Sequence, residues 1–324
     1  MRIGLVDAGA RSGALPDVLT ESLAALGSVV RFTVPAAGQQ RARKALVQQL
    51  AADDCDRYVF CDTEDLAEQM LEFDSAPSFL VPGAAAMARR PAFWQQFVRH
   101  RALCFSRPLH ERLQQLSCAT SYFQYFPEPA PEPQASDATA GIFVEESSSD
   151  DSALAIVIDL AGQLGLRHLR VESRHRQSST ENVEQIELRI RPMPAADDDA
   201  ALFHFVGDRP ADGGGIAKAM AMGRIVIAPH ASLAADYCAD AVSGMLHAPA
   251  RQRLALPHYG SERLAAMSRA ARRKALNGRR DWVQDIERLQ SLVSGDGRRW
   301  GTSDCSAHFD RAIRKAAHLR AWHD

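Results

Sequence analysis

The sequence has few cysteines, no long apolar run and almost no net charge. The six cysteines of this 324-residue chain form no Cys-x-x-Cys pair, which excludes a zinc ribbon or a redox dithiol. No segment approaches the roughly 20 consecutive apolar residues that span a bilayer. The first residues, Met1–Asp7, enter a strand-like segment instead of a signal peptide. We therefore expect a cytoplasmic protein that holds no metal ion.

The charge is nearly balanced but unevenly distributed. The chain has 38 basic and 40 acidic residues, so it does not attract nucleic acid as a whole. Residues 261–324 nevertheless contain 14 basic and 8 acidic side chains. This basic C-terminal region suits peripheral contact with anionic lipids at the inner face of the membrane, or a phosphorylated substrate. The alternative is that its cations are solvated faces of helices. The cluster in question is Arg272, Arg273, Lys274, Arg279 and Arg280.

The composition predicts two globular domains. At 46% apolar and 24% charged residues, a chain of this length has enough apolar material for two cores. Short apolar runs alternate with helical periodicity, which predicts an α/β fold with two Rossmann-like, doubly wound domains and C-terminal helices. We expect an N-terminal domain over 1–126, a proline-rich linker over 127–136 and a C-terminal domain over 137–300. A terminal helix over 301–324 is expected to return to the first domain.

The same periodicity predicts individual elements. Strands are expected at Ile3–Asp7, Val29–Val34, Arg57–Cys61, Ser78–Val81, Ala102–Phe105, Gly141–Val144, His168–Val171, Ile186–Ile190, Ala201–Val206 and Arg224–Ala228. Helices are expected at Asp17–Leu26, Arg41–Ala51, Glu64–Phe73, Pro91–His100, His110–Leu116, Ser152–Leu164 and Ile216–Met222. Beyond Gly244 no strand is expected, and three helices are, at Ser261–Leu276, Arg280–Val293 and Ser306–Ala321.

The most informative segment is a glycine triplet that follows a predicted strand. Gly213-Gly214-Gly215 lies directly before a helix, and glycine lets a ligand approach the backbone closely. The free N–H groups and the positive dipole end of the helix make such a loop an anion site, for which a diphosphate is a natural ligand. The helix is short, since Gly223 is placed to end it before an apolar strand.

The longer block resembles the donor-site signature of the GT-B glycosyltransferases, in the large retaining group that uses nucleotide sugars. That signature has an acidic residue, a glycine-rich loop, Ala-Met-Ala-x-Gly and an apolar strand that ends in Ala-Pro. The matching stretches are Asp212–Gly215 and Ala219–Pro229, with Asp236-Tyr237 and Ser243–Leu246 downstream. The resemblance is specific over about 201–249 and architectural elsewhere.

The resemblance implies a donor site and roles for its residues. Asp212 would contact hydroxyls of the donor sugar, and Lys218 would support the charge of the departing diphosphate. The amides of Gly213–Gly215 and Ile216 would bind that diphosphate, with Arg209 and His230 as further donor contacts. The donor would be a UDP- or GDP-linked sugar, with no obligatory cofactor and no metal.

Two features depart from the family pattern. The position of Lys218 is usually a glutamate that binds the ribose hydroxyls, and an ammonium group cannot accept those hydrogen bonds. After the strand at Gly141–Val144 the family commonly has an arginine and a lysine, whereas this chain has the acidic run Glu145–Asp151. Acidic side chains there would repel a nucleotide diphosphate.

A second loop of small residues follows the first strand. Gly9, Arg11 and Gly13 are compatible with the acceptor-side glycine loop of the same family. The loop is also compatible with an ordinary turn between a strand and a helix, which is the favoured interpretation.

The resemblance implies sugar transfer to a glycan, lipid-linked or protein acceptor in the interdomain cleft, in polysaccharide or glycoconjugate biosynthesis. The alternative is a catalytically degenerate GT-B-like protein that works as a binding partner or scaffold, because the glutamate and the basic pair are missing. A nucleotide-dependent epimerase or dehydrogenase is a weaker third reading, since Asp7–Arg11 lacks the full Gly-x-Gly-x-x-Gly spacing.

Overall fold

The computed structural model of the protein describes residues 1–9, 15–36, 38–71, 78–97, 100–128, 141–146, 151–166, 168–173, 179–183, 186–192, 201–206, 213–230, 232–248 and 259–295. The chain divides into two compact units. The first unit comprises Met1–Phe123 and the segment that begins at Val283, and the second comprises Gln124–Trp282. Each unit is built on its own sheet.

The first unit alternates strands with helices. Its strands are β1 (Arg2–Asp7), β2 (Ser28–Thr33), β3 (Arg57–Cys61), β4 (Ser78–Val81), β5 (Arg101–Cys104) and β6 (Ala119–Tyr122). Its helices are α1 (Leu15–Leu23), α2 (Gln40–Ala52), α3 (Glu64–Met70), α4 (Pro91–Gln95) and α5 (Arg107–Gln115). The five strands predicted in this half of the chain are present, each within one residue of its expected ends.

These strands form a parallel sheet in the order β2-β1-β3-β4-β5-β6. Its central strands are buried, as expected when helices cover both faces, and in β1 every residue after Arg2 is buried. Strand β6 was not predicted, because its sequence Ala-Thr-Ser-Tyr has no apolar run. All four of its residues are only partly buried at the edge of the sheet.

The second unit has a larger sheet. Its strands are β7 (Gly141–Glu146), β8 (His168–Ser173), β9 (Ser179–Val183), β10 (Ile186–Pro192), β11 (Ala201–Phe205), β12 (Ile225–Pro229) and β13 (Gly244–His247). Its helices are α6 (Asp151–Gln163), α7 (Gly213–Ala221), α8 (Ala234–Tyr237) and the first part of α9 (Ser261–Ser294). The strand order is β13-β12-β11-β7-β8-β10-β9.

Without β9, this order is that of a Rossmann sheet, with β7 as its first strand and β11 as its fourth. The predicted fold class, two Rossmann-like α/β units, is therefore confirmed. Strand β9 pairs antiparallel with β10 and was not predicted, because its polar sequence gives no apolar signal. The expectation that strands stop at Gly244 was wrong: β13 begins there and pairs with β12.

Two apolar layers cover the second sheet. One face packs against α6 through side chains that include Phe205, Val157 and Leu160. The other packs against α7 and α9 through side chains that include Ile216 and Ala271. Helices α6 and α7 therefore lie on opposite faces of the sheet.

Helix α9 is one continuous helix of 34 residues, where two helices separated near Gly278 were predicted. A Cβ at Gly278 would lie 2.2 Å from Cε2 of Phe126, so the aromatic ring packs directly on the helix backbone. The glycine here serves close packing and does not break the helix. The predicted helix at 306–321, the terminal segment 301–324 and most of the linker at 127–136 lie outside the described residues.

Two cations of the basic C-terminal region have structural partners. Arg272 donates to the carbonyl oxygen of Ala221 at 2.7 Å, at the end of α7, and Arg279 donates to that of Phe126 at 3.4 Å. These two guanidinium groups stabilise the fold of the second unit. Among the described residues, no helix is long and apolar enough to cross a membrane.

Candidate functional site

The carboxyl edge of the second sheet has the geometry of a ligand site. Strands β7 and β11 are neighbours, and the helices that follow them, α6 and α7, pack on opposite faces. In open α/β sheets this switch point leaves a crevice outside the strand ends, where ligands bind. The sequence-predicted donor segment follows β11 and therefore lies at this point.

Helix α7 begins at the glycine triplet itself. It was predicted to start at Ile216, but its first turn is Gly213-Gly214-Gly215. The triplet is therefore not a loop before the helix, and its amides belong to the first turn, where backbone N–H groups point out of the helix end. Gly214 and Gly215 are half-buried at this end. An anion bound here would face both the amides and the positive end of the dipole.

The end of α7 is fixed as the sequence predicted. Gly223 has φ +75°, and its N–H donates to the Met220 carbonyl at 2.9 Å. The Arg224 N–H reaches back to the Ala219 carbonyl at 2.9 Å. These two bonds form a Schellman motif, which requires the left-handed conformation that glycine adopts at low cost.

A packed tyrosine accounts for the first glycine of the triplet. A Cβ at Gly213 would lie 2.2 Å from the hydroxyl oxygen of Tyr237 and 2.5 Å from its Cζ. Tyr237 is the last residue of α8 and is fully buried. Its hydroxyl group therefore lies beside the first turn of α7. Tyr237 is part of the donor-site block in the sequence, but nothing in that block indicates that its ring packs on the glycine triplet.

The other predicted donor-side residues have different environments. Lys218 is exposed on α7, and His230 is exposed directly after β12. The side chain of Ile216 is fully buried in the core, so contact with a ligand is left to its backbone. Arg209 and Asp212 lie outside the described residues.

The acidic run at Glu145–Asp151 is partly regular structure, although the predicted strand before it ends at Val144 and the predicted helix after it begins at Ser152. Strand β7 extends to Glu146, where it pairs with Ser173 of β8, and α6 begins at Asp151. Residues 147–150 lie outside the described residues.

His247 is a residue of this edge that sequence reasoning missed. It is the last residue of β13 and is only 8% exposed. Its Nδ1 lies 2.7 Å from the carbonyl oxygen of Ala248, and its backbone carbonyl accepts the His230 N–H at 2.7 Å. Its ring is stacked on Phe205, with centroids 6.5 Å apart and an angle of 10°. No sequence signal separated this histidine from the other ten.

The glycine loop of the first unit has a local explanation at Gly9. This residue has φ +66°, and its N–H donates to the Asp7 carboxylate, which the Arg31 guanidinium also contacts. Such a bond from an aspartate to the backbone two residues on is typical of a turn, which favours the ordinary-turn interpretation. Arg11 and Gly13 lie outside the described residues.

A buried carboxyl group lies near the corresponding edge of the first sheet. Glu64 is 5% exposed, and its Oε1 accepts the Gly83 N–H at 2.9 Å. Burial is the main cause that raises the pKa of Glu64 to about 7, with a smaller contribution from the neighbouring Asp62, and the backbone N–H groups that bond to the carboxylate act in the opposite direction. Sequence reasoning did not single out this group, since nothing in the sequence reports its burial.

No group of three or more His, Cys, Asp or Glu side chains suited to a metal ion occurs in the described part of the chain. The five cysteines that the structure describes are buried, and none of them forms a disulfide.

Comparison with solved structures identifies the fold. Over 89% of this chain and 99% of the other, it is similar to HepE from Anabaena, solved with UDP and glucose (TM-score 0.58, 13% identity). It is similar to a glycosyltransferase from Rickettsia africae over 91% and 99% of the two chains (TM-score 0.60, 11% identity). Similarity to TarM from S. aureus, solved with UDP in one structure, covers 78% of this chain and 59% of TarM (TM-score 0.53, 10% identity).

No protein-family model matches the sequence, and no curated protein matches it. The chain has the GT-B fold that its donor-site block predicted. At these identities the similarity is one of fold.

Proposed function

We propose that this protein is a glycosyltransferase that moves a sugar from a nucleotide-sugar donor to an acceptor hydroxyl group. The observation that carries the proposal is the start of α7 at the switch point of the second sheet, with glycine amides in its first turn. HepE, which has a similar fold, was solved with UDP-glucose, which supports a UDP-linked donor for this chain.

In the proposed reaction, the bond between the anomeric carbon of the sugar and the diphosphate breaks, and both electrons leave with the diphosphate. The acceptor oxygen bonds to the anomeric carbon, and its proton passes to an oxygen of the departing diphosphate. The amides of Gly214 and Gly215 and the dipole of α7 stabilise the charge that develops on the diphosphate. The exposed ammonium group of Lys218, on the same helix, adds positive charge. The class of acceptor and peripheral membrane contact stay predictions.

Direct binding tests the donor site. We expect calorimetric titration of the full chain with UDP, GDP, ADP and their sugar conjugates to give micromolar affinity for one base, with UDP favoured. No detectable binding of any ligand in the panel would contradict the donor site and favour the binding-partner alternative.

A charge placed in the first turn of α7 gives a sharper test. Gly214→Asp puts a carboxylate beside the amides that would bind the diphosphate, while an acid at this end does not harm the helix. We expect UDP affinity to fall at least about tenfold, because the like charges repel at close range.

The matched control is Gly214→Asn, which has nearly the same shape and no charge. It should keep most of the affinity, and both variants should unfold at similar temperatures. Equal affinities for the two variants would show that the phosphates lie elsewhere.

A further inference from the structure

The imidazole of His247 has one nitrogen bonded and one without a partner. Nδ1 lies 2.7 Å from the Ala248 carbonyl oxygen, which can only accept. In the neutral ring Nδ1 therefore carries the hydrogen, and Nε2 has a lone pair that needs a donor. Among the described residues, none reaches Nε2 with a hydrogen bond, and the atom is shut off from solvent.

The ring of His247 lies toward the switch point. Strands β13 and β11 are separated by β12, so their backbones are about 10 Å apart. The ring centroids of His247 and Phe205 are only 6.5 Å apart. The two rings therefore meet over β12, and the imidazole lies beside the side chain of Phe205, the last residue of β11.

An acceptor without a donor is costly when it is buried. His204 is also buried and lacks partners on both ring nitrogens. It is the penultimate residue of β11, but its ring is stacked on Phe143, with centroids 5.1 Å apart, and lies near Arg224, which directly precedes β12 at the other edge of the sheet. Of these two histidines, His247 is the last residue of its strand, at the edge where the sheet topology places a ligand.

Resting on the proposed function, we infer that Nε2 of His247 accepts a hydrogen bond from a hydroxyl group of the nucleotide-sugar donor. A nucleotide sugar presents such donors on its ribose and on its hexose, whereas the exposed ammonium group of Lys218 can only donate. Because Nε2 is closed to solvent, the ligand displaces side chains at this edge as it binds. Satisfying the buried acceptor offsets part of that cost.

Two substitutions test the roles of the two ring nitrogens of His247 separately. In His247→Asn the amide lies near the position of Nδ1, so the bond to Ala248 can persist while the acceptor at Nε2 is lost. In His247→Gln the amide reaches the position of Nε2 and can accept there. The control is His168→Asn, at the start of β8 and hence at the opposite edge of the same sheet.

The measurement is calorimetric titration of each full-length variant with UDP and with UDP-glucose, together with its melting temperature without ligand. We expect His247→Asn to weaken binding about three- to tenfold, the range of one neutral hydrogen bond. His247→Gln and His168→Asn should bind close to wild type. A loss already present with UDP places the hydroxyl on the ribose, and a loss confined to UDP-glucose places it on the hexose.

Other outcomes overturn the inference. Wild-type affinity in His247→Asn would refute it while leaving the proposed function intact. Equal losses in the Asn and Gln variants would mean that ring packing matters and the acceptor does not. If the wild-type protein binds neither ligand, the proposed function fails and this inference fails with it.

Discussion

At the scale of single residues, the glycines of the donor-site block are required for different structural reasons. Gly223 adopts the positive φ that ends α7, which the sequence indicated. Gly213 leaves room for the phenol of Tyr237. The sequence explained the glycine triplet only by the close approach of a ligand, so this contact was not predicted. The triplet therefore combines an internal packing requirement at Gly213 with half-buried amides at Gly214 and Gly215.

The packing of Tyr237 on Gly213 predicts the effect of a methyl group added at this glycine. Gly213→Ala would place a Cβ 2.2 Å from the Tyr237 hydroxyl oxygen, so the ring or α7 must shift. We expect a loss of about 1–3 kcal/mol in the free energy of unfolding. Urea denaturation of the full chain measures it.

A glycine with open surroundings provides the comparison. Nothing lies within 4 Å of a Cβ at Gly162, in the last turn of α6. Gly162→Ala should stabilise the protein by about 0.4–1 kcal/mol, because it restricts the unfolded chain. A Gly213→Ala protein as stable as wild type would mean that Tyr237 does not pack on the first turn of α7.

At the scale of elements, helix α9 shows how packing overrides a local signal. The sequence Asn277-Gly278 resembles a helix end, so two helices were predicted. The helix nevertheless continues through Gly278, with the Phe126 ring against its backbone and Ala271 and Ala275 in the core. Burial of this face compensates for the low helix propensity of glycine.

We therefore expect an alanine at Gly278 to change the stability of the protein in the opposite direction from an alanine at an exposed helical glycine. In an exposed helix interior, Gly→Ala stabilises by about 1 kcal/mol. Gly278→Ala should instead destabilise the protein, because the new Cβ would lie 2.2 Å from the Phe126 ring. A thermal double-mutant cycle with Phe126→Ala measures the coupling between the two positions.

In the Phe126→Ala background, Gly278→Ala should become neutral or stabilising, since the obstructing ring is gone. Additive effects of the two substitutions would contradict the packing described here.

At the scale of the whole molecule, buried titratable groups set the dependence of stability on pH. Burial lowers the pKa of His204 to about 3 and that of His100 to about 4. Both rings are therefore neutral when folded, and stability is lost as the pH falls from about 6.5, where the unfolded histidines gain protons. Glu64 acts in the opposite direction.

We expect the titration of Glu64 to lower the stability of the protein as the pH rises. Its pKa is raised from 4.5 to about 7 by burial, so between these values the folded state holds a proton that the unfolded state has released. The contribution of Glu64 to the free energy of unfolding therefore falls as the pH rises from 4.5 to 7, and it is constant above pH 7. Glu64→Gln keeps an oxygen that can accept the Gly83 N–H and removes the charge.

We expect Glu64→Gln to be more stable than wild type at pH 8 by up to about 3 kcal/mol, and nearly equal to it at pH 4. Urea unfolding at both pH values is the measurement. An equal difference at the two values would mean that Glu64 does not titrate in this range.

Much of the fold could be predicted from the sequence, because β1 to β5 and most strands of the second sheet are buried apolar runs. Strands β6 and β9 could not, since they are polar segments stabilised by pairing with a neighbouring strand. Strand β13 is apolar but has only four residues, too few for a hydrophobic period to indicate a strand. Of the site, the short helix after a strand and its terminal glycine were predictable.

The sequence by itself determined the alternation of strands and helices and the position of the glycine-rich helix, because hydrophobic period and glycine conformation are local properties. The GT-B fold was implied by the resemblance of the donor-site block to that family. Tertiary structure alone decided which residues meet. It placed Tyr237 on Gly213, Phe126 on Gly278 and His247 beside Phe205. Such contacts join residues distant in sequence, and their energy comes from burial and close packing, which no local pattern records.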